Sequence, residues 1–443
     1  MWLADAACIS FSWVLVSALY GVFVGFCGHG FADYLHVWPV VLIYTGINLF
    51  ARLYHGRASY PAMPVSPVEE FRRLVLSAVM THLLTMAFLG FGHVAMEISR
   101  LVLIASGLLT AVLAQPFRDI ARGLMKRLGV GQIRAMLVGT GEVADRVRRA
   151  LAGNSYFGFD VVPFGGENRD IVAEAKRLDI KILLACQDAR LFAAQMTDFV
   201  GWFHHIEYLP TAAAFPVADG RVVSVDGVGG LEMVNQARMK GLHVEKSVLD
   251  RVLSLIILLL ASPCFVVIPI LIKLTSRGPV FYRANRLGKL GRPIKVLKFR
   301  SMYADADARL KTLLQSDPKL AAEFKANFKL ANDPRVTPLG RILRKTSLDE
   351  IPQILNVFSG EMMLIGPRPI VEDEVAYYGD AFPVFSSVKP GITGLWQCSG
   401  RSGTDYPTRV ALDVHYVLNW SPWMDLWIVF RTAIAVLTMK GSC

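Results

Sequence analysis

The chain opens with four apolar segments, at roughly residues 7–27, 35–53, 74–92 and 101–120, each near the length of a membrane-spanning helix. The basic residues between them set an orientation. None precedes Arg52; the second connection carries Arg52, Arg57, Arg72 and Arg73; the third has Arg100 alone; Arg118, Arg122, Lys126, Arg127 and Arg134 follow the fourth. The bias of Lys and Arg toward the cytoplasm then predicts a four-helix unit with both ends inside. This unit has no Lys through residue 120, and Asp5, Asp33, Glu70 and Glu97 fall near segment ends, so an anchor is expected rather than a transport path. The N-terminal "MWLADAACIS" lacks the basic stretch of a cleaved signal peptide and reads as the start of the first helix.

From Gly131 the pattern changes to short apolar runs alternating with amphipathic ones, which predicts a parallel α/β layer. "IRAMLVGTGEVADRVRRAL" reads as strand, glycine turn and helix; "FDVVPF" and "IKILLA" read as the next strands. Gly139, Gly141 and Ala144 fit G-x-G-x-x-A, where backbone amides at a helix N-terminus could hold a diphosphate. A small βαβ unit needs a tight turn there in any case, and no ribose-binding acid is evident after the second strand. An empty or regulatory scaffold stands beside the dinucleotide reading. A nucleotide-sugar dehydratase or epimerase would need a Tyr-x-x-x-Lys pair, and the chain has none.

A further apolar run, "RVLSLIILLLASPCFVVIPILIK", spans Arg251 to Lys273. A full crossing would carry a dense basic stretch, Arg277 to Arg300, to the far side, although the preceding flank (Lys240, Lys246, Arg251) is basic too. Ser262-Pro263 near its middle predicts a kink. A re-entrant helix over about 250–273, entering and leaving on one side, satisfies both observations; an ordinary kinked span is the alternative.

Composition agrees: 443 residues, 53% hydrophobic, a formal charge of +11 and a mean hydropathy of +0.41 describe a membrane protein with large polar parts. No nucleic-acid-binding signature accompanies the charge, so membrane lipid and phosphorylated substrates are the expected partners. The six cysteines are scattered without metal-site spacing, which implies a reduced compartment and no structural metal.

The densest chemistry lies in "RILRKTSLDEIPQILNVFSGEMMLIGPRPIVEDE". Pro352 belongs in a first helical turn, so a helix with apolar stripe Ile351, Ile354, Leu355 and Phe358 is expected to begin near Asp349. This places Asp349 and Glu350 at a helix N-terminus, preceded by Arg341, Arg344 and Lys345. Ser347-x-x-Glu350 also matches a capping box, a purely structural use. "DAD" at Asp305 to Asp307 imitates a metal-binding D-x-D but reads better as the solvated face of a helix.

"KFRSM", "TSLDEIPQILNVFSGEMMLIGPRP" and "VKPGITGLWQCSGR" together resemble the bacterial sugar transferases, monotopic phosphoglycosyl transferases that start glycan assembly on polyprenyl phosphate. The resemblance covers the chain from about Lys246 onward, and the ending "DYPTRVALDVHYVLNWSPWMDLWIVFRTAIAVL" is similar to the undecaprenyl-phosphate galactose phosphotransferases. It implies a membrane anchor (1–128), a cytoplasmic Rossmann-like domain (129–243) and a mostly α-helical monotopic catalytic domain (244–443) with a re-entrant helix broken at Ser262 and Pro263. It further implies transfer of hexose 1-phosphate from a UDP-hexose, galactose favoured and glucose the alternative, to undecaprenyl phosphate with release of UMP. By resemblance Asp349 is the nucleophile and Glu350 the candidate Mg²⁺ ligand. Lys298, Arg300, Arg344, Arg368 and Arg401 are the candidate phosphate and nucleotide contacts, and Asp413 matches a family acid. A homodimer at the cytoplasmic face of the bacterial inner membrane completes the implied picture. A membrane scaffold or nucleotide sensor without catalysis is the rival of another class. The apolar run near the C-terminus, with Trp420, Trp423 and Trp427, is expected to lie at the bilayer interface rather than span it.

Overall fold

A computed structural model describes residues 1–23, 38–54, 66–91, 99–153, 158–164, 171–209, 221–225, 228–232, 240–303, 305–306, 308–310, 315, 333–399 and 406–437. Two units are present, Met1–Phe215 and Pro216–Cys443.

In the first unit, apolar runs form α1 (Trp2–Phe23), α2 (Trp38–Phe50), α3 (Pro67–Phe91) and α4 (Arg100–Arg127). Among the described residues three helices, Trp2–Phe23, Pro67–Phe88 and Arg100–Arg127, are long and apolar enough to cross a membrane; α2 is shorter, with 13 residues. Small and hydroxylated residues line the packed interior. Ser12 donates to the Cys8 carbonyl (2.9 Å), Thr81 to Ser77 (2.7 Å) and Thr110 to Ser106 (2.8 Å), so these hydroxyls are satisfied within their own helices. A side chain at Gly107 would meet the His82 ring at 2.9 Å, so α3 and α4 approach closely.

One end of the bundle is tied by charge. Arg118 donates to both carboxylate oxygens of Asp5 (2.8 and 2.6 Å) and to Glu70 (2.8 Å), and Arg122 also pairs with Glu70. Tyr54 (2.7 Å) and Asn48 (3.1 Å) donate to Asp5 as well. The network joins all four helices. Arg118 and Arg122, counted in the sequence as part of a basic flank, are instead buried. They turn inward because Asp5 and Glu70, brought to the same level, leave no cheaper way to satisfy four charges.

After α4 come β1 (Ile133–Val138), α5 (Glu142–Gly153), β2 (Phe159–Phe164), α6 (Ile171–Arg177), β3 (Ile182–Ala185), α7 (Ala189–Val200) and β4 (His205–Tyr208). The strands form one parallel sheet in the order β2-β1-β3-β4. Alternation along β1 sends Ala135 and Leu137 into one apolar layer and Met136 and Val138 into the other, so both faces are covered.

The second unit begins with an antiparallel hairpin, β5 (Arg221–Val225) and β6 (Val228–Glu232), followed by α8 (Lys240–Leu260) and α9 (Ser262–Thr275). Lys246–Leu260 and Ser262–Thr275 together are apolar enough for a membrane segment but are bent by 58°. The bend falls at Ala261, immediately before Ser262-Pro263, with Pro263 in the first turn of α9 and the Ser262 hydroxyl donating to the Leu259 carbonyl (2.7 Å). An antiparallel hairpin, β7 (Phe281–Leu287) and β8 (Pro293–Phe299), follows, then α10 (Pro338–Lys345), a short turn of 3₁₀-helix at Leu348–Glu350, and α11 (Gln353–Phe358). Next are β9 (Met363–Ile365), α12 (Val375–Tyr378), α13 (Phe382–Ser386), β10 (Gly391–Thr393) parallel to β9, α14 (Leu395–Ser399), α15 (Tyr406–Asn419) and α16 (Pro422–Leu437).

The helix expected to begin near Asp349 begins at Gln353, after the 3₁₀ turn and Pro352. Its buried face is Gln353, Ile354, Asn356 and Val357, whereas Phe358 is exposed, which corrects the expected stripe. In α16 Trp427 is buried in its own unit, and the Trp420 indole donates to Asp425 (2.9 Å), so those two rings of the aromatic cluster have protein partners.

Candidate functional site

The turn that carries Asp349 is held from two sides. From one, Asn356 stitches α11 to β8: its Nδ2 donates to the Lys295 carbonyl (2.9 Å) and its Oδ1 accepts from the Leu297 amide (2.9 Å). From the other, α10 lies against the end of β8, since a Cβ at Gly340 would stand 1.9 Å from the Ser301 carbonyl oxygen. Glycine is therefore required at that crossing. Thr337 caps α10 by accepting from Gly340 N (2.9 Å), and Arg344 Nε donates to Ser301 Oγ (2.9 Å). Between these supports Ser347 adopts a left-handed conformation (φ 57°), a strained choice for serine, and its side chain caps nothing. The capping box expected from Ser347-x-x-Glu350 does not form.

The result is one cluster of Asp349, Glu350, Lys298 and Arg344. Lys298 Nζ lies 2.6 Å from Glu350 Oε1. Asp349 is only 7% exposed, and burial pushes its carboxyl up to about 6, Glu350 adding to the rise while Lys298 and Arg344 oppose it. A carboxylate so placed is poorly solvated, which favours nucleophilic use, and its cationic neighbours can receive phosphate oxygens. Among the described residues no three His, Cys, Asp or Glu side chains converge as a metal cage. Glu350, 36% exposed and adjacent to Asp349, suits a hard cation completed by substrate phosphates, the usual manner of Mg²⁺.

A second cluster surrounds Arg368. The Gly366–Pro369 turn is pressed onto β10: Gly391 N donates to the Pro367 carbonyl (2.8 Å) and Gly366 N to the Thr393 carbonyl (2.9 Å). A Cβ at Gly391 would stand 2.1 Å from Gly366 N, so only glycine permits this contact. Arg368 lies over the Trp396 ring at 5.6 Å, and Arg409, one helical turn before Asp413 on α15, lies over the same ring at 4.7 Å. Asp413 is 1% exposed and accepts from the Tyr378 hydroxyl (2.9 Å). Burial raises its carboxyl to about 7, against the pull of Tyr378, Arg368 and Arg409.

The remaining expected residues make other contacts or lie outside the described residues. Arg300 is 7% exposed and donates through Nη2 to the Ser276 carbonyl (2.8 Å) and hydroxyl (2.7 Å) at the C-terminal end of α9, where a cation opposes the helix dipole. Arg401 lies outside the described residues. Asp305 pairs with Arg309 (2.8 Å) on an exposed surface, and Asp307 lies outside the described residues. In the first unit, Gly139 (φ 119°) is needed for packing, because a Cβ there would stand 1.7 Å from the Cys186 carbonyl oxygen; Gly141 (φ 96°) faces open space, and Ala144 is buried in the sheet's apolar layer.

Sequence reasoning missed Arg409, Trp396 and Tyr378. Arg409 had a signal, the i, i+4 spacing to Asp413 on a helical stretch; Trp396 and Tyr378 had none.

Residues 242–439 match the family described as Bacterial sugar transferase. The chain is 34% identical over 400 residues to the undecaprenyl-phosphate galactose phosphotransferase of Salmonella typhimurium, covering 84% of this chain and 81% of that protein. It is 31% identical over 357 residues to a UDP-glucose:undecaprenyl-phosphate glucose-1-phosphate transferase of Klebsiella pneumoniae, covering 75% and 73%. It is also 48% identical over 193 residues to the exopolysaccharide production protein ExoY of Rhizobium meliloti, covering 44% and 85%.

Proposed function

The chain belongs to the bacterial sugar transferase family, and from that premise we propose that it transfers hexose 1-phosphate from a UDP-hexose to undecaprenyl phosphate, releasing UMP. The donor we favour is UDP-galactose, because the Salmonella relative, 34% identical over 84% of this chain, carries galactose in its name; the Klebsiella relative keeps UDP-glucose as the second reading. The product enters polysaccharide assembly.

The observation that carries this reading is Asp349, buried on a strained turn beside Lys298 and Arg344. In the first half-reaction an Asp349 carboxylate oxygen attacks the phosphorus that bears the sugar. The bond from that phosphorus to the oxygen bridging the diphosphate breaks, and UMP leaves with the electron pair. In the second, a phosphate oxygen of undecaprenyl phosphate attacks the same phosphorus, the acyl phosphate bond breaks, and the carboxylate is regenerated. Like-charge repulsion opposes both attacks, and Lys298 and Arg344 supply the fixed positive charge that reduces it. Glu350 would hold Mg²⁺, which supplies further charge neutralisation on the phosphates.

The proposal extends to the architecture: a four-span anchor (1–128), a cytoplasmic Rossmann-like domain (129–243) and a catalytic domain (244–443) seated in the cytoplasmic leaflet of the inner membrane by a re-entrant α8–α9. The bend of 58° beside Ser262-Pro263 and the basic flanks support re-entrance. The resemblance to large family members adds a homodimer. A catalytic site at the leaflet surface lets a water-soluble donor meet a lipid phosphate while each stays in its own phase.

The test is UMP release by purified protein with undecaprenyl phosphate, Mg²⁺ and either UDP-galactose or UDP-glucose, for wild type and Asp349→Asn. Release with one donor, abolished by the substitution, supports the reading; undiminished release by the variant sinks the covalent step.

A further inference from the structure

β9 (Met363–Ile365) leads directly into the Gly366–Pro369 turn, so what fixes the strand also fixes Arg368. One edge of β9 is taken by β10, and Met363 N donates to the Pro390 carbonyl (2.8 Å). Among the described residues this sheet has no third strand, yet Ile365 is buried and Leu364 half-buried. Backbone groups placed there need partners. Side chains from two distant helices supply them: Asp250 Oδ2 on α8 accepts from Leu364 N (3.3 Å), and the Tyr416 hydroxyl on α15 donates to the Ile365 carbonyl (2.9 Å).

These side chains belong to one buried ionic cluster. Asp425 Oδ1 lies 2.7 Å from the Tyr416 hydroxyl, while its Oδ2 accepts from the Trp420 indole (2.9 Å) and from Lys246. Lys246 Nζ stands 3.9 Å from Asp250 Oδ2 and 5.4 Å from the centre of the Trp420 ring. Lys246, Asp250 and Tyr416 are each at most 5% exposed. Charges so enclosed add little net stability, because their desolvation offsets their attraction. What they supply is a fixed arrangement, with the Tyr416 hydroxyl held between a carboxylate and the strand. Lys246 and Asp250 also begin the helix that continues into the apolar segment, which ties that helix to β9.

In the turn itself Gly366, Pro367 and Pro369 are buried and Arg368 is half-buried. Prolines on both sides of Arg368 fix φ at their positions, so a displacement of Ile365 is carried to the arginine rather than absorbed on the way. We propose that Tyr416, held by Asp425 and Lys246, is a positioning residue for Arg368: it sets the place of the guanidinium through the Ile365 carbonyl and touches no substrate. The inference rests on Arg368 as a phosphate contact in the reaction proposed above.

The experiment is a double-mutant cycle on kcat/KM for whichever of UDP-galactose and UDP-glucose supports UMP release. It uses the full-length protein in lipid nanodiscs, as wild type, Tyr416→Phe, Arg368→Gln and the double variant. With Arg368 present, loss of the hydroxyl should lower kcat/KM by roughly ten- to a hundredfold, the scale of a displacement of about 1 Å. With Arg368→Gln already in place it should lower it by less than about threefold. A protein that merely folds less well loses the same factor in both backgrounds, so equal factors would overturn the inference. An unchanged kcat/KM in Tyr416→Phe or in Arg368→Gln overturns it too. If Tyr416→Phe does not fold, Lys246→Met with Asp425→Asn, which removes both charges of the pair together, carries the same cycle, with the loss again confined to protein that keeps Arg368. Asp349→Asn stays outside the cycle and tests the nucleophile separately: release by that variant removes the covalent step, and the four rates are compared as before.

Discussion

Lys298 on β8 and Glu350 on the 3₁₀ turn meet at 2.6 Å, although 52 residues separate them in the chain. Their pairing sets the electrostatic surroundings of Asp349 from both signs, since Lys298 draws its proton affinity down and Glu350 raises it.

Removing either partner should therefore shift the acidic limb of the pH–rate profile in opposite directions. Lys298→Met moves it above the value near 6 and Glu350→Gln moves it below. Both lower the maximal rate, Lys298→Met by roughly a hundred- to a thousandfold. Profiles of UMP release read the shifts, and movement in a common direction contradicts this account.

Asp349 itself must be ionised to attack. Its carboxyl is raised from 3.8 to about 6, so the first half-reaction should be full above neutrality and fall as pH drops through about 6. The stability consequence has the opposite sense. A raised acid favours the fold when protonated, and that contribution is complete below 3.8 and lost as pH rises through about 6. Asp349→Asn should accordingly raise the melting temperature at pH 7.5 and leave it unchanged at low pH, as differential scanning calorimetry can show.

In the bundle, Arg118→Met strands Asp5 and Glu70 without their main partner. A destabilisation of roughly 3–5 kcal/mol is expected. Replacing Arg118 and Asp5 together by Met and Asn, which keeps the Arg122–Glu70 pair, should recover much of it. Thermal unfolding in detergent of the single and double variants decides the matter.

Gly139→Ala should disrupt the parallel sheet, because the new methyl meets the Cys186 carbonyl at 1.7 Å in a backbone with φ 119°. A loss of more than about 2 kcal/mol is expected. Faster proteolysis between residues 133 and 208 would report it; an unaltered rate would show that the turn relaxes.

Re-entrance predicts that both ends of the α8–α9 segment share one side of the membrane. In a cysteine-free background, Arg251→Cys and Arg277→Cys should react with an impermeant maleimide from the same face of sealed inverted vesicles. Reaction from opposite faces would establish a crossing helix instead.

Much of this was legible in the chain. The strands "IRAMLV", "FDVVPF" and "ILLA" stand where alternating short apolar runs placed them, and the bend sits beside Ser262-Pro263. The turn at Asp349 was misread because Pro352 permits a helix to start earlier, while the left-handed Ser347 and the 3₁₀ turn depend on α10 and α11 being held apart by other contacts. Arg118 looked like a flank charge because its partners are 113 and 48 residues away.

Periodicity, proline placement and charge along the chain are local properties, so sequence alone determined the apolar helices, the parallel layer, the kink and the acidic pair at 349–350. Which charges meet was decided by tertiary structure. The close crossings at Gly340 on Ser301 and at Gly391 on Gly366 set the positions of Arg344 and Arg368. Coulomb and hydrogen-bond energies depend on distances that only those crossings establish.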